Sequence, residues 1–202
     1  MAIRLHLSGD TNNTSTFGSL GGRRSTTQVT TNVSENVFDN ISRQEALTNK
    51  KEYRCLYVYN DAGSTLTNVR ITLTHPAITN IAIGLDPAGK GDGTNTGIAT
   101  SITTENLAPA GITFVGEEED VYEIALGYLK AGEGIPVWLR REAEASVDQT
   151  ITWSLTITED AGTLLSTTAA DNLSMSELRD MDKTATGNYT IATAKIGFSD
   201  IG

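Results

Sequence analysis

Apolar residues recur at every second position in short stretches along this chain, and helical spacing is almost absent. The strongest stretch is residues 53–60, Tyr-Arg-Cys-Leu-Tyr-Val-Tyr-Asn, closed by the turn residues Asp61, Ala62, Gly63 and Ser64. Its aromatic and β-branched side chains suit a pleated, half-buried surface, and the small polar residues after it end the strand. Alternation puts Arg54, Leu56 and Val58 on one face and Tyr53, Cys55, Tyr57 and Tyr59 on the other. Neither face is polar, so this strand needs cover on both sides, one from its own core and one from another source.

Residues 68–74 alternate in the same way, with Val69, Ile71 and Leu73 against Arg70, Thr72 and Thr74, which predicts a hairpin with 53–60 around residues 61–66. Ile81, Ile83 and Leu85 repeat the pattern, and further strands are expected at 112–115, 121–126, 136–140 and 150–158. In the last of these Ile151, Trp153, Leu155 and Ile157 oppose a row of threonines and a serine. Leu56, Val58, Val69, Ile71, Leu73, Ile83, Trp153 and Leu155 are the expected core. Ser42 and Glu45 have the spacing of a capping box for one helical turn, and 33–41 reads as a strand. Short alternating strands separated by turn residues predict an all-β fold, an antiparallel immunoglobulin-like or jelly-roll-like β-sandwich over residues 33–160.

The ends read differently. Ile3, Leu5 and Leu7 form one short alternating strand, followed by a polar stretch and then Gly21-Gly22-Arg23-Arg24. Their apolar groups are too sparse to offset the entropy of ordering the segment by itself. Residues 1–32 are therefore expected to be an extended arm that orders against partners, and deleting 1–22 should leave a folded sandwich. Residues 161–202 read as a second extension, with one helix-like turn near Ser176 and a possible strand over 189–196.

Charge sharpens this picture. The 202 residues carry a net charge of −10, which disfavours nucleic acid and anionic membranes as partners of the bulk surface. Residues 1–32 hold Arg4, Arg23 and Arg24 against Asp10 alone, a basic arm on an acidic body. One cysteine, Cys55, provides neither a disulfide framework nor a thiolate cluster. The opening lacks the apolar run of a signal peptide and no stretch approaches the roughly 18 residues of a membrane span. A soluble protein made in the cytosol is expected, in which the sequons at Asn32 and Asn172 are silent.

Local signals for catalysis each have a plainer reading. Residues 84–91 match a phosphate-binding loop up to Lys90 but place Gly91 where a hydroxyl is required, and more glycine follows instead of a helix. Cys55 and His75 could form a nucleophile and base, yet Cys55 lies mid-strand, where a packed thiol is expected. Glu117, Glu118, Glu119 and Asp120 lack the alternate spacing of a calcium loop and suit a solvated turn. No cofactor, metal or enzymatic activity is expected. Binding has more support, since Tyr53, Tyr57 and Tyr59 share a face outside the core, and tyrosine offers apolar area with a polar tip. Either a partner or the chain's own arm covers them. Trp138, flanked by Val137 and Leu139, stands exposed beside Arg140 in one register and in the core in the register shifted by one. The interface candidates are Ile3, Leu5, Leu7, Arg23, Arg24, Tyr53, Tyr57, Tyr59 and Trp138.

Six stretches carry a resemblance: 19–22 (Ser-Leu-Gly-Gly), 35–41 (Glu-Asn-Val-Phe-Asp-Asn-Ile), 52–58 (Glu-Tyr-Arg-Cys-Leu-Tyr-Val), 82–89 (Ala-Ile-Gly-Leu-Asp-Pro-Ala-Gly), 108–114 (Ala-Pro-Ala-Gly-Ile-Thr-Phe) and 137–141 (Val-Trp-Leu-Arg-Arg). In this order they resemble the signposts of a family of tailed-bacteriophage virion structural proteins. The likeness covers residues 19–141 and stops where Glu142-Ala143-Glu144-Ala145 replaces a Pro-Ala-Gly-like turn. It implies a non-enzymatic β-sandwich assembled in the host cytoplasm into the virion. Its partners would be copies of itself and the major capsid protein or tail proteins, and a homo-oligomer in the particle is expected. Two roles follow. One is a capsid decoration or cement protein whose arms bridge subunits. The other is an adhesive, receptor-binding or connector module of the tail or baseplate, with Trp138 and the tyrosines stacked on sugar rings.

Overall fold

The structure, a computed structural model, describes residues 3–30, 37–75, 81–117, 120–143, 151–159 and 162–171, the last by its backbone pairing. The chain is an antiparallel β-sandwich. Among the described residues nine strands run in order: β1 (Ile3–Ser8), β2 (Arg24–Gln28), β3 (Lys51–Asn60), β4 (Leu66–Thr74), β5 (Ile81–Leu85), β6 (Val121–Leu129), β7 (Gly134–Glu142), β8 (Ile151–Glu159) and β9 (Gly162–Asp171). One short helix, α1 (Arg43–Leu47), precedes β3, and Ser42 and Glu45 close the expected capping box around its N-terminus. A five-stranded sheet in the order β2-β1-β3-β7-β5 faces a four-stranded sheet in the order β6-β4-β8-β9.

The inward rows of the two sheets make the main core. Leu56, Val58, Val69, Ile71, Leu73, Ile83, Trp153 and Leu155 all belong to it, as the alternation requires. Phe38 closes one end, its ring edge-on to Trp153 at 6.3 Å between centroids. Phe38 lies in a stretch without strand structure at 37–41, whereas the sequence suggested a strand over 33–41; residues 33–36 lie outside the described residues.

Three further expectations are corrected. First, β3 and β4 are not hairpin partners. β3 pairs with β1 and β7, and β4 pairs with β6 and β8, so residues 61–65 cross from one sheet to the other. Asn60 holds that corner: its side-chain amide donates to the carbonyls of Ser64 and Leu129, and its side-chain oxygen accepts from the Ala62 N–H. Second, the N-terminal residues are not an arm. Ile3 to Leu7 pair with Asn60 to Leu56, and Ile3, Leu5 and Leu7 are buried in the main core. β1 takes the edge of β3 that a hairpin partner would have used. The apolar residues of this segment are too sparse to fold alone, but three inward side chains suffice when the rest of the core is supplied from elsewhere in the chain. Third, the sandwich does not end at residue 160, because β9 pairs with β8 from Gly162 to Asp171. The turn near Ser176 and the strand at 189–196 lie outside the described residues.

β1 sits between β2 and β3, so its loss would strip one edge of the five-stranded sheet and open the core. A chain lacking residues 1–22 should therefore show no cooperative thermal transition by far-UV circular dichroism. A truncated protein that melts like the full chain would contradict this placement.

Candidate functional site

The outer face of the five-stranded sheet is where the sequence placed its binding residues, and it is covered. β3 and β7 pair so that Cys55 opposes Trp138 and Tyr57 opposes Pro136. Tyr53, Cys55, Tyr57 and Trp138 form a second apolar cluster with Ala99 and Ile102, flanked by Leu20, Ile112 and Phe114. Two segments supply this cover. One is the β1–β2 connection. The other is the long connection from β5 to β6, in which the strand the sequence suggested over 112–115 is reduced to one isolated bridge, Val115 with Ile83.

Buried polar groups fix the cover in place. The Tyr57 hydroxyl donates to the Gly22 carbonyl at 2.6 Å and accepts the Ala99 N–H at 2.8 Å, so one group ties both segments to the sheet. Burial pushes the Tyr57 phenol well above its ordinary pKa, so it remains a donor at any physiological pH. The Trp138 indole N–H donates to Asp86 Oδ2 at 2.8 Å, and Asp86 also accepts the N–H groups of Thr100 and Ala88. The segments bond to each other as well: Gly22 N–H to the Ala99 carbonyl, and Ile102 N–H to the Leu20 carbonyl. At Gly21, with φ of +88°, a Cβ atom would stand 1.7 Å from the Thr100 carbonyl oxygen, so only glycine admits this crossing. Gly84 plays the same part on β5, where a Cβ would meet Ile112 at 2.5 Å. The ladder of β3 runs on past β1, because the Cys55 N–H reaches the Ser19 carbonyl and the Tyr53 N–H the Glu105 carbonyl.

The interface candidates therefore divide. Ile3, Leu5 and Leu7 are core residues, and Tyr53, Tyr57 and Trp138 are buried under the cover. Trp138 points outward, as the unshifted register implies, but is 0 % exposed. Tyr59 is half-buried, with the Arg24 guanidinium 3.9 Å from its ring centre. Arg23 alone of the nine is exposed. The catalytic alternatives are also occupied. The Cys55 thiol is buried on the outer face, where desolvation pushes its pKa up, while His75 follows β4 in the other sheet and bonds the Gly116 carbonyl. Lys90 donates to the Tyr128 carbonyl and lies over that ring. Glu117 pairs with Arg140; Glu118 and Glu119 lie outside the described residues.

Sequence reasoning missed a charged cluster at the end of the sandwich that holds α1. Glu45, Glu52 and Glu105 converge there with the spacing of a cation site, but the Lys50 ammonium lies among them at 2.7, 3.1 and 2.7 Å. Arg54 bonds Glu105 at 2.6 Å, Arg141 bonds Glu52 and Asp39, and both guanidiniums lie over the Phe38 ring. Burial opposes charge on Lys50, yet its bonds to Glu105, Glu45 and Glu52 outweigh this and raise its pKa. The Lys50 ammonium already supplies the positive charge a metal would bring. Arg54 and Arg141 fall on inward positions of β3 and β7, which was the available signal: two arginines in apolar alternation demand carboxylates.

No family model matches the chain, and no curated protein matches it. Among solved structures, the N-terminal domain of PorA is 11% identical, with 84% of this chain and 96% of that one covered and a TM-score of 0.35. The collagen-binding subdomain of the Enterococcus faecalis surface protein ACE is 8% identical over 60% of this chain and 88% of that one, TM-score 0.33. A family 123 glycoside hydrolase from Clostridium perfringens is 9% identical over 62% of this chain, TM-score 0.32, and the match spans 21% of the hydrolase chain.

Two outcomes test this site. Tyr57→Phe removes the hydroxyl and strands the Gly22 carbonyl and the Ala99 N–H, which should cost about 1–3 kcal/mol in denaturant unfolding; an unchanged midpoint would show that the cover does not depend on it. Glu105 is held at a pKa of about 2, below its ordinary 4.5, because bonds from Lys50 and Arg54 outweigh the opposing effect of burial. Its depressed pKa stabilises the fold above pH 4.5, and that contribution is lost as pH falls from there toward 2. Glu105→Gln should lower the melting temperature at neutral pH and flatten its decline across this window, whereas a parallel curve at every pH would exclude the linkage.

Proposed function

We propose that this chain is a non-enzymatic structural protein of a tailed-bacteriophage particle, and that it acts as a capsid decoration or cement protein. The observation that carries the reading is where five of the six resembling stretches fall. Residues 19–22, 52–58, 82–89, 108–114 and 137–141 are distant in sequence, yet they supply the covered outer sheet face and its cover. They contribute Leu20, the buried Tyr53-to-Tyr57 row, Asp86, Ile112 with Phe114, and Trp138. The shared residues thus serve the architecture of a doubly covered sheet, as suits a part whose task is mechanical. The charge asymmetry adds modest support, with Arg23 exposed beside an otherwise acidic body. Bridging cannot use Ile3, Leu5 and Leu7, which are spent in the core, so contact with neighbouring subunits falls to the outer surface and to Arg23. The adhesive tail reading has less support, because Trp138, Tyr53 and Tyr57 are buried and unable to stack on a sugar ring, which leaves it only the half-buried Tyr59 beneath Arg24.

Quantitative densitometry of purified particles tests the reading. A decoration protein should be present in numbers comparable to the capsid protein, and heads stripped of it should rupture at lower temperature and regain stability when it is added back. A few copies confined to the tail, or rupture that is the same with and without it, would refute the cement role.

A further inference from the structure

The sheet edges are treated unequally. The outer edge of β2 is closed by Thr26 N–H bonding the Thr11 carbonyl and by Arg24 N–H bonding the Gly93 carbonyl. The outer edge of β5 is closed by reciprocal bonds between Ile83 and Val115 at 3.0 Å. On β6, one of the two edges of the four-stranded sheet, Lys90 caps the Tyr128 carbonyl beyond the bulge at Gly127, and among the described residues no backbone segment pairs with the regular stretch before it. Val121 on this edge is 58% exposed. Tyr122 and Ile124 point into the core but are only half-buried, since the sheet stops beside them.

We infer that the β6 edge is a homodimer interface, at which two copies pair antiparallel about a two-fold axis through Ile124 to make one continuous sheet. The stretch complements itself in that register. Ile124 meets its own copy, Tyr122 meets the partner copy's leucine equivalent to Leu126, and both pairs extend the core across the junction. On the solvent face Glu123 comes opposite the equivalent of Ala125, so no like charges oppose, and Arg70 already neutralises Glu123 at 3.3 Å. An axis through Glu123 would instead set two carboxylates face to face. An uninterrupted edge of this kind, without proline or lysine, is a template for strand addition. The interface belongs to the isolated protein and stands whether or not the virion role does.

Light scattering coupled to size exclusion on the full chain tests it. The wild type should be a dimer in reversible exchange with monomer. Ala125→Glu puts a carboxylate opposite Glu123 twice per dimer and should weaken association about tenfold, while Glu123→Lys combined with Ala125→Glu should restore it. Both positions are exposed, and unchanged melting of the monomers will show that the variants fold. A wild type that stays monomeric at the highest concentration it tolerates overturns the interface. A dimer indifferent to Ala125→Glu overturns the register.

Discussion

The structure depends on a strand that is apolar on both faces. β3 turns Leu56 and Val58 toward the sandwich core and Tyr53, Cys55 and Tyr57 the other way, and none of these five side chains is more than 6% exposed. A sandwich supplies one layer of cover for such a strand, and an ordinary surface sheet would leave the other face wet. Here the chain spends two long connections as a third layer. Their backbones, which have little regular pairing of their own, are satisfied by the Tyr57 hydroxyl, the Asp86 carboxylate and each other. Burying irregular backbone demands this accounting, because an unpaired N–H or carbonyl costs as much as a lost hydrogen bond.

The same strand explains the two polar ends of the sheet. Toward the α1 end, β3 and β7 keep their inward alternation but substitute Glu52, Arg54 and Arg141 for apolar residues, and the core gives way to a charge network. Four carboxylates, Asp39, Glu45, Glu52 and Glu105, are arranged around three cations, Lys50, Arg54 and Arg141. Such a network fixes geometry more than it adds stability, since the desolvation of buried charges opposes their attraction. At the other end Asn60 turns the chain into the second sheet. At β1, the His6 ring nitrogen Nδ1 donates to the Ser25 carbonyl, and burial together with Arg24 keeps its pKa below the ordinary 6.5. The unfolded chain therefore takes up that proton first, and the β1–β2 edge loses stability as pH drops through that value.

Much of this was legible in the sequence where the signal is local. The alternation of β8 around Trp153 and Leu155, the inward row of β4 and the Ser42–Glu45 cap need only neighbouring residues to be read. The two-faced character of β3 was equally plain, and it required a second cover without saying whose. What was not legible depends on distant partners. β1 looked like an arm because three apolar residues mean little until β3, over fifty residues away, provides the edge they join. The β3–β4 connection reads as a hairpin because a five-residue turn serves a hairpin and a crossover alike, and only the claim of β1 on that edge decides between them. Gly21 and Gly22 read as part of an extended arm, whereas Gly21 is glycine because the Thr100 carbonyl leaves no room for a side chain.

The third layer is the claim on which the burial of Tyr53, Tyr57 and Trp138 rests. Amide hydrogen exchange measures it directly at Gly22, Cys55 and Ile102, whose N–H groups donate to Ala99, Ser19 and Leu20. If the cover is an integral layer of the fold, these amides should exchange as slowly as those in the centre of β3 and β7, through global unfolding. Exchange at the rate of open loops, with β3 and β7 still protected, would mean that the outer face is bare in solution and would contradict the account.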